Sequence, residues 1–177
     1  MEKIKTPFKG LIILEPKVHE DDRGYFMESF KKSFFQKHFP TIDFIQENES
    51  KSKYGVFRGL HFQKDPYAQT KLIRVIDGEI LDIVFDLREN ETTYKQLYTI
   101  NLSSLNKKQL LVPKGMAHGF LVLSKTAIIQ YKVDAPFKPN YESGIRYNDP
   151  LINLKLDINQ QDLIISSRDE KWLNIEL

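Results

Sequence analysis

In the stretch FRGLHFQ, residues Phe57–Gln63, a histidine interrupts an apolar run that reads as a strand. His61 follows Gly59 by two residues and Arg58 by three, so a group that titrates near neutrality lies beside a cation suited to an anionic ligand. Three more polar side chains break apolar runs in the same way: Lys71 opens KLIRVID, His118 closes PKGMAH, and Tyr131 stands in AIIQYKV. Taken singly, each has an ordinary structural account: an inward-facing strand histidine, a solvated edge lysine, a core tyrosine with its hydroxyl at the rim. Taken together they are a base, two groups able to hold a negative oxygen, and an acid. That set suits removal of a carbon-bound proton next to a carbonyl. The histidine takes the proton, a lysine or second imidazole stabilises the enolate, and the tyrosine returns a proton to the other face. Base and acid on opposite faces of one carbon make an epimerase.

A metal site is the competing chemistry. Small metal-binding barrels of the cupin type supply His-x-His with a following glutamate, and another histidine from a later strand. Here His61 is followed by Phe62 and Gln63, and no glutamate occurs before Glu79. The P-x-G-x-x-H turn of Pro113–His118 is present, but two histidines without a carboxylate make a poor transition-metal site. No metal and no cofactor are expected.

The chain has no cysteine, which excludes thiolate catalysis and a disulfide framework. A formal net charge of +2 does not argue for nucleic acid or a membrane surface as partner. The N-terminal MEKIKTPFKG lacks an apolar signal core, and no window approaches the about 18 apolar residues of a membrane span, so a cytoplasmic protein is expected. No linker or repeat divides the sequence, and residues 1–177 read as one domain.

The elements that must position the polar groups are short apolar runs separated by turn signals. Strands are expected at Leu11–Leu14, Gln96–Leu102, Gln109–Val112, Gly119–Leu123 and Ala127–Val133. In LIRVIDGEILDIVFDL, Asp77-Gly78 is a hairpin signal between two further strands. Beyond it Leu81, Ile83, Phe85 and Leu87 share one face, and Asp82, Val84 and Asp86 the other. Ser29–Phe39 predicts a short helix stopped by Pro40, and Ser166–Lys171 a short helix or turn. Six or more such strands argue for an antiparallel barrel or sandwich, with a jelly roll as one option.

Six ordered blocks, DDRGYFMESF, FIQENESKS, GVFRGLHFQ, KLIRVIDGEILDIVFDLR, QLLVPKGMAHGFLVLS and ESGIRYNDP, resemble the dTDP-4-dehydrorhamnose 3,5-epimerases from about Gly10 to Asp169. The resemblance implies an all-β, cupin-like antiparallel jelly-roll barrel with a few short peripheral helices. It also implies a homodimer whose N-terminal segment reaches the neighbouring site, and a metal-free reaction on dTDP-4-dehydro-6-deoxy-D-glucose. Carried over by position, His61 is the base, Asp169 the carboxylate that orients it, Lys71 and His118 the enolate holders, and Tyr131 the acid. Substrate contacts fall on Arg23, Phe26 and Glu28, on Gln46, Glu47 and Asn48, and on Arg58, Phe137, Glu142 and Arg168. Two positions depart from the family: Phe137 replaces a tyrosine that stacks on thymine in many members, and Arg168 replaces a lysine.

Three other readings compete with inversion at both C3 and C5. The scaffold can invert C3 alone, or act on another 4-keto sugar nucleotide such as a GDP-linked heptose. A noncatalytic sugar-nucleotide-binding barrel would have no use for an opposed base and acid, and a metal-dependent cupin lacks its ligands. One geometric expectation remains. Residues three apart on a regular strand face opposite ways, so a bend or bulge near Gly59 must bring Arg58 and His61 to one cleft.

Overall fold

The computed structural model describes residues 1–172. Along the chain run β1 (Glu2–Lys5), β2 (Ile12–Glu15), β3 (Val18–Asp21), β4 (Gly24–Met27), helix α1 (Lys32–His38), β5 (Gln46–Lys53) and β6 (Phe57–Gln63). There follow β7 (Lys71–Asp77), β8 (Glu79–Asp86), β9 (Leu97–Ser103), β10 (Gln109–Val112), β11 (Met116–Val122), β12 (Thr126–Val133) and β13 (Glu142–Gly144). One sheet has the order β1-β2-β10-β7-β12-β5, and the facing sheet the order β13-β6-β11-β8-β9. The pairings within both are antiparallel. This is the jelly-roll form expected from the sequence. Among the described residues the peripheral helices are α1 and three short 3-10 turns at Pro139–Tyr141, Gln160–Asp162 and Asp169–Lys171.

Both sheets are covered on both faces. Between them lie Ile73, Ile80, Val84, Leu110, Val112, Val122 and Ile129. The outer face of the five-stranded sheet, with Phe57, Leu60, Ile83 and Phe85, is covered by apolar residues of the C-terminal segment, among them Ile145, Ile152, Leu156 and Leu163. On the six-stranded sheet, Leu14, Leu72 and Leu111 are covered by Phe35 of α1 with Phe30, Phe34, Phe39 and Phe44 around it. The two faces read for β8 are therefore both interior, which is why Ile80 and Asp82–Asp86 are all buried despite alternating direction.

The Asp77-Gly78 turn corrects one expectation: it is not a hairpin. β7 pairs with β10 and β12, while β8 pairs with β11 and β9, so the chain crosses from one sheet to the other at Gly78. A turn signal reports local dihedrals and not which strands pair. Gly78 has φ +80°, and a Cβ there would lie 2.1 Å from the Thr126 carbonyl oxygen, so the crossing point has no room for a side chain. A second difference is β5, whose sequence QENESKSK has no apolar alternation to announce it. It pairs with β12 over its whole length and closes the edge of the six-stranded sheet. Among the described residues no helix is long and apolar enough to cross a membrane.

Candidate active site

The site begins with a defect in β6. His118 of β11 stands opposite His61, and Phe120 opposite Arg58, so three steps on β6 match two on β11. The extra residue is a β-bulge, and it turns Arg58 and His61 to the same side, as the spacing demanded. Gly59 makes the bulge possible. Its φ is +126°, and a Cβ there would lie 2.6 Å from the Cα of Gly119. The same bulge aims the Gly59 N–H at the Asp169 carboxylate, 3.3 Å from Oδ2.

Asp169 reaches His61 from the C-terminal segment, with Oδ1 2.7 Å from His61 Nε2. The carboxylate is 5% exposed. Burial pulls its pKa upward, but the His61 bond and charge, the Gly59 N–H and Arg168 outweigh burial and hold it below its ordinary value. An ionised Asp169 accepts the Nε2 proton of a neutral His61, leaving Nδ1 as the basic nitrogen. Trp172 stands edge-on to the imidazole at 6.1 Å between ring centroids. Its ring packs on Gly144, which is paired with His61 in the sheet and where a Cβ would overlap the indole at 2.5 Å.

His61, Lys71 and Tyr131 line a cavity of about 340 Å³ that is also bounded by Gln46, Asn48, Gln63, Phe137, Glu142 and Arg168. A smaller recess of about 130 Å³ shares Lys71 and Tyr131 with it and adds Arg58 and His118. Lys71 donates weakly to the His61 carbonyl oxygen at 3.4 Å. Desolvation pushes its pKa down to about 8, against the opposing pull of Asp82 and Glu142. The Tyr131 hydroxyl is shifted up by burial and Glu142, with the Asn48 hydrogen bond and Arg58 opposing.

His118 forms a second dyad. Its Nε2 lies 3.0 and 2.9 Å from the two oxygens of Asp82, which is fully buried. The sequence reading placed Asp82 on a strand face but assigned it no role. A carboxylate on the same face as the core residue Val84 was the available signal, because an ion is buried only with a partner.

Of the residues expected to bind substrate, Gln46, Asn48, Arg58, Phe137, Glu142 and Arg168 border the two recesses, and Glu142 is paired with Arg168 at 3.1 Å. Glu47 does not. It lies between Gln46 and Asn48 on β5, points to the other face, and is bound to Lys132 at 2.6 Å. A run of three neighbouring contacts cannot survive on a strand with a side-chain period of two. Arg23, Phe26 and Glu28 also stand away from this cavity. Arg23 and Phe26 are on the β3–β4 ribbon, which pairs with neither sheet, and Glu28 just follows it. Arg23 is paired with Asp21, and Glu28 with Lys31 at 2.8 Å. Among the described residues, no three His, Cys, Asp or Glu side chains gather as a metal-binding cluster.

The family model for dTDP-4-dehydrorhamnose 3,5-epimerase matches residues 5–176. A dTDP-4-dehydrorhamnose 3,5-epimerase of Methanothermobacter thermautotrophicus is 46% identical over 96% of this chain and 91% of its own. The crystal structure of the enzyme of that name from Bacillus anthracis, with TDP and PPi bound, superposes with a TM-score of 0.93 at 41% identity, covering 98% of this chain and 99% of the other. The dTDP-6-deoxy-D-glucose-3,5-epimerase of Legionella pneumophila, solved with dTDP-4-keto-L-rhamnose, gives a TM-score of 0.90 at 38% identity, covering 96% and 89%.

Proposed function

The chain belongs to the dTDP-4-dehydrorhamnose 3,5-epimerase family, and from that premise we propose how its own residues carry the reaction. It is an isomerase acting on a nucleotide sugar, inverting C3 and C5 of dTDP-4-dehydro-6-deoxy-D-glucose to give dTDP-4-dehydro-L-rhamnose. The observation that carries the residue assignment is the His61–Asp169 pair facing a cavity that Lys71 and Tyr131 also line.

The C4 ketone makes the hydrogens on C3 and C5 acidic. Nδ1 of His61 takes one of them, the C–H electrons move into the enolate, and the resulting imidazolium is balanced by Asp169. Lys71 and His118 hold the enolate oxygen. To donate there while Nε2 is bound to Asp82, His118 carries a proton on Nδ1 as well, and Asp82 is the counter-charge of that cation. Protonation from the opposite face inverts the centre, from Tyr131 at C5 and from solvent at C3. The imidazolium gives its proton up to solvent before His61 acts on the second centre, and the ionised tyrosine is reprotonated before the next turnover. Phe137 offers a ring face to the base, and Arg58 and Arg168 offer guanidinium forks to the diphosphate.

The reaction needs no metal on this reading, because the strand position after next from His61 is a glutamine engaged with backbone groups. We assign Arg23, Phe26 and Glu28 to the neighbouring site of a homodimer. In support, Phe26 is 69% exposed, and among the described residues no further strand pairs with its ribbon. Residues 1–177 act as a single domain. A cytoplasmic location suits a substrate whose charged diphosphate does not cross a bilayer unaided.

Proton exchange in deuterated buffer tests the assignment. Deuterium enters C3 and C5 of the keto-sugar nucleotide with the wild-type protein and neither position with His61→Asn. Exchange that persists in His61→Asn removes His61 as the base.

A further inference from the structure

We propose that Gln63 is a positioning residue that seats the loop carrying Phe137 and thereby sets the affinity of the site for the nucleotide. The inference rests on the nucleotide-sugar reading of the cavity. Gln63 stands two residues beyond His61 on β6, so both side chains face the cavity.

Its amide is 6% exposed and uses three hydrogen bonds. Nε2 donates to the carbonyl oxygens of Tyr67 at 2.7 Å and Pro136 at 3.1 Å, and Oε1 accepts from the Lys138 N–H at 2.6 Å. The partners fix the orientation of the amide, since carbonyls only accept and a backbone N–H only donates. Pro136 and Lys138 are the two residues that flank Phe137. One side chain therefore grips the backbone on both sides of the ring and ties it to the loop that holds Tyr67.

The grip matters because Phe137 has little else to hold it. Its side chain is 48% exposed at the cavity wall, and it enters none of the ring pairs among the described residues. The two loops are joined again further out. Gln69 donates to the Ala135 carbonyl at 2.8 Å, the Thr70 N–H donates to Asp134 at 2.7 Å, and the Tyr67 and Tyr141 rings meet edge to face at 4.7 Å. Beside Gln63, the Pro136–Lys138 backbone has a hydrogen bond from the Tyr141 N–H to the Lys138 carbonyl at 2.9 Å, which lies on the far side of Phe137 from Pro136, and the Tyr141 carbonyl accepts from the Lys64 N–H at 2.9 Å.

No other side chain of this size meets the same demand. Glutamate is isosteric but turns a carboxylate oxygen toward two carbonyl oxygens. Methionine fills the space and offers no strong hydrogen bond. Neither change touches the His61–Asp169 pair, so binding and chemistry separate.

Affinity for dTDP alone, together with kcat and KM for epimerisation, tests the proposal in wild type, Gln63→Glu, Gln63→Met, Phe137→Ala and Gln63→Met/Phe137→Ala. Both Gln63 variants weaken dTDP binding and raise KM about tenfold, with kcat held within about threefold. The double variant binds no more weakly than Phe137→Ala, because both changes remove one ring contact. Acid pH restores much of the affinity in Gln63→Glu, where a protonated carboxyl regains one donor, and none in Gln63→Met. Unchanged affinity, additive losses, or a fall in kcat at constant KM overturns the proposal. Hydrogen exchange reads the strut directly, with residues 64–70 and 134–141 losing protection together in both variants. Unchanged protection there overturns it too. A wild-type protein that binds no dTDP sinks the nucleotide reading instead, and the exchange comparison still judges the strut.

Discussion

Nε2 of His61 lies 2.7 Å from Oδ1 of Asp169, although the two residues are 108 apart in the chain. The contact is made by a bulge on one strand and a 3-10 turn at the far end of the sequence, and Gly59 serves both: it forms the bulge and donates its N–H to the same carboxylate. Orientation of the base is thus a property of the fold.

Asp169→Asn tests that orientation. The variant keeps the shape of the dyad but can present an amide N–H where an acceptor is needed, which favours the wrong tautomer of His61. We expect kcat to fall by about 100- to 10,000-fold with KM little changed, by analogy with triads in which the orienting carboxylate is replaced. Steady-state kinetics decide it; a loss smaller than about fivefold would show that Asp169 does not orient the base.

Gly59→Ala tests the bulge. The φ of +126° is poor for a side chain, and the Cβ would meet the Gly119 Cα at 2.6 Å. A loss of about 3 kcal/mol or more in stability is expected. Residual activity should fall even in the folded fraction, because the Arg58–His61 register is lost. Denaturant unfolding measured beside activity separates the two effects.

Lys71 links activity to pH. Desolvation leaves its pKa at about 8, so the ammonium that holds the enolate is present below that pH and disappears above it. The kcat/KM profile should therefore decline as pH rises through about 8, whereas Tyr131, shifted upward from 10.0, loses its proton at higher pH. The stability effect has its own sign. A lysine whose folded pKa is depressed below its ordinary value of 10.5 destabilises the fold while protonated, and that penalty fades as pH rises from about 8 toward 10.5. Lys71→Met should remove the alkaline decline with the activity, and stabilise the protein at neutral pH by up to roughly 3 kcal/mol. Thermal melts at pH 7 and 10 check it: the gain over wild type shrinks at the higher pH.

Asp82→Asn tests the second dyad. It removes the counter-charge from His118 and leaves a fully buried amide in its place. The enolate loses a donor, and kcat should fall by about 10- to 100-fold. Deuterium exchange at C3 and C5 should slow in parallel, since both centres use the same oxygen.

The chain by itself determined the residue types and much of the framework. Apolar alternation marked the faces of β8, the segment stopped by Pro40 marked α1, and polar residues in apolar runs marked His61, Lys71, His118 and Tyr131. The odd spacing of Arg58 and His61 even required the bulge at Gly59. These features are legible because side-chain period, turn chemistry and the cost of burying a polar group act over a few residues.

What the tertiary structure decided lies at long range. It turned the Asp77-Gly78 turn into a crossing between sheets, recruited the polar β5 as a strand through pairing with β12, and sent Glu47 away from the cavity that its neighbours line. It paired His118 with Asp82 and made Gln63, noted in the sequence as a missing metal ligand, a strut for the Phe137 loop. Hydrogen-bond partners across a sandwich are set by which faces must be buried together. No local pattern carries that information, because every backbone strand offers the same donors and acceptors to any neighbour.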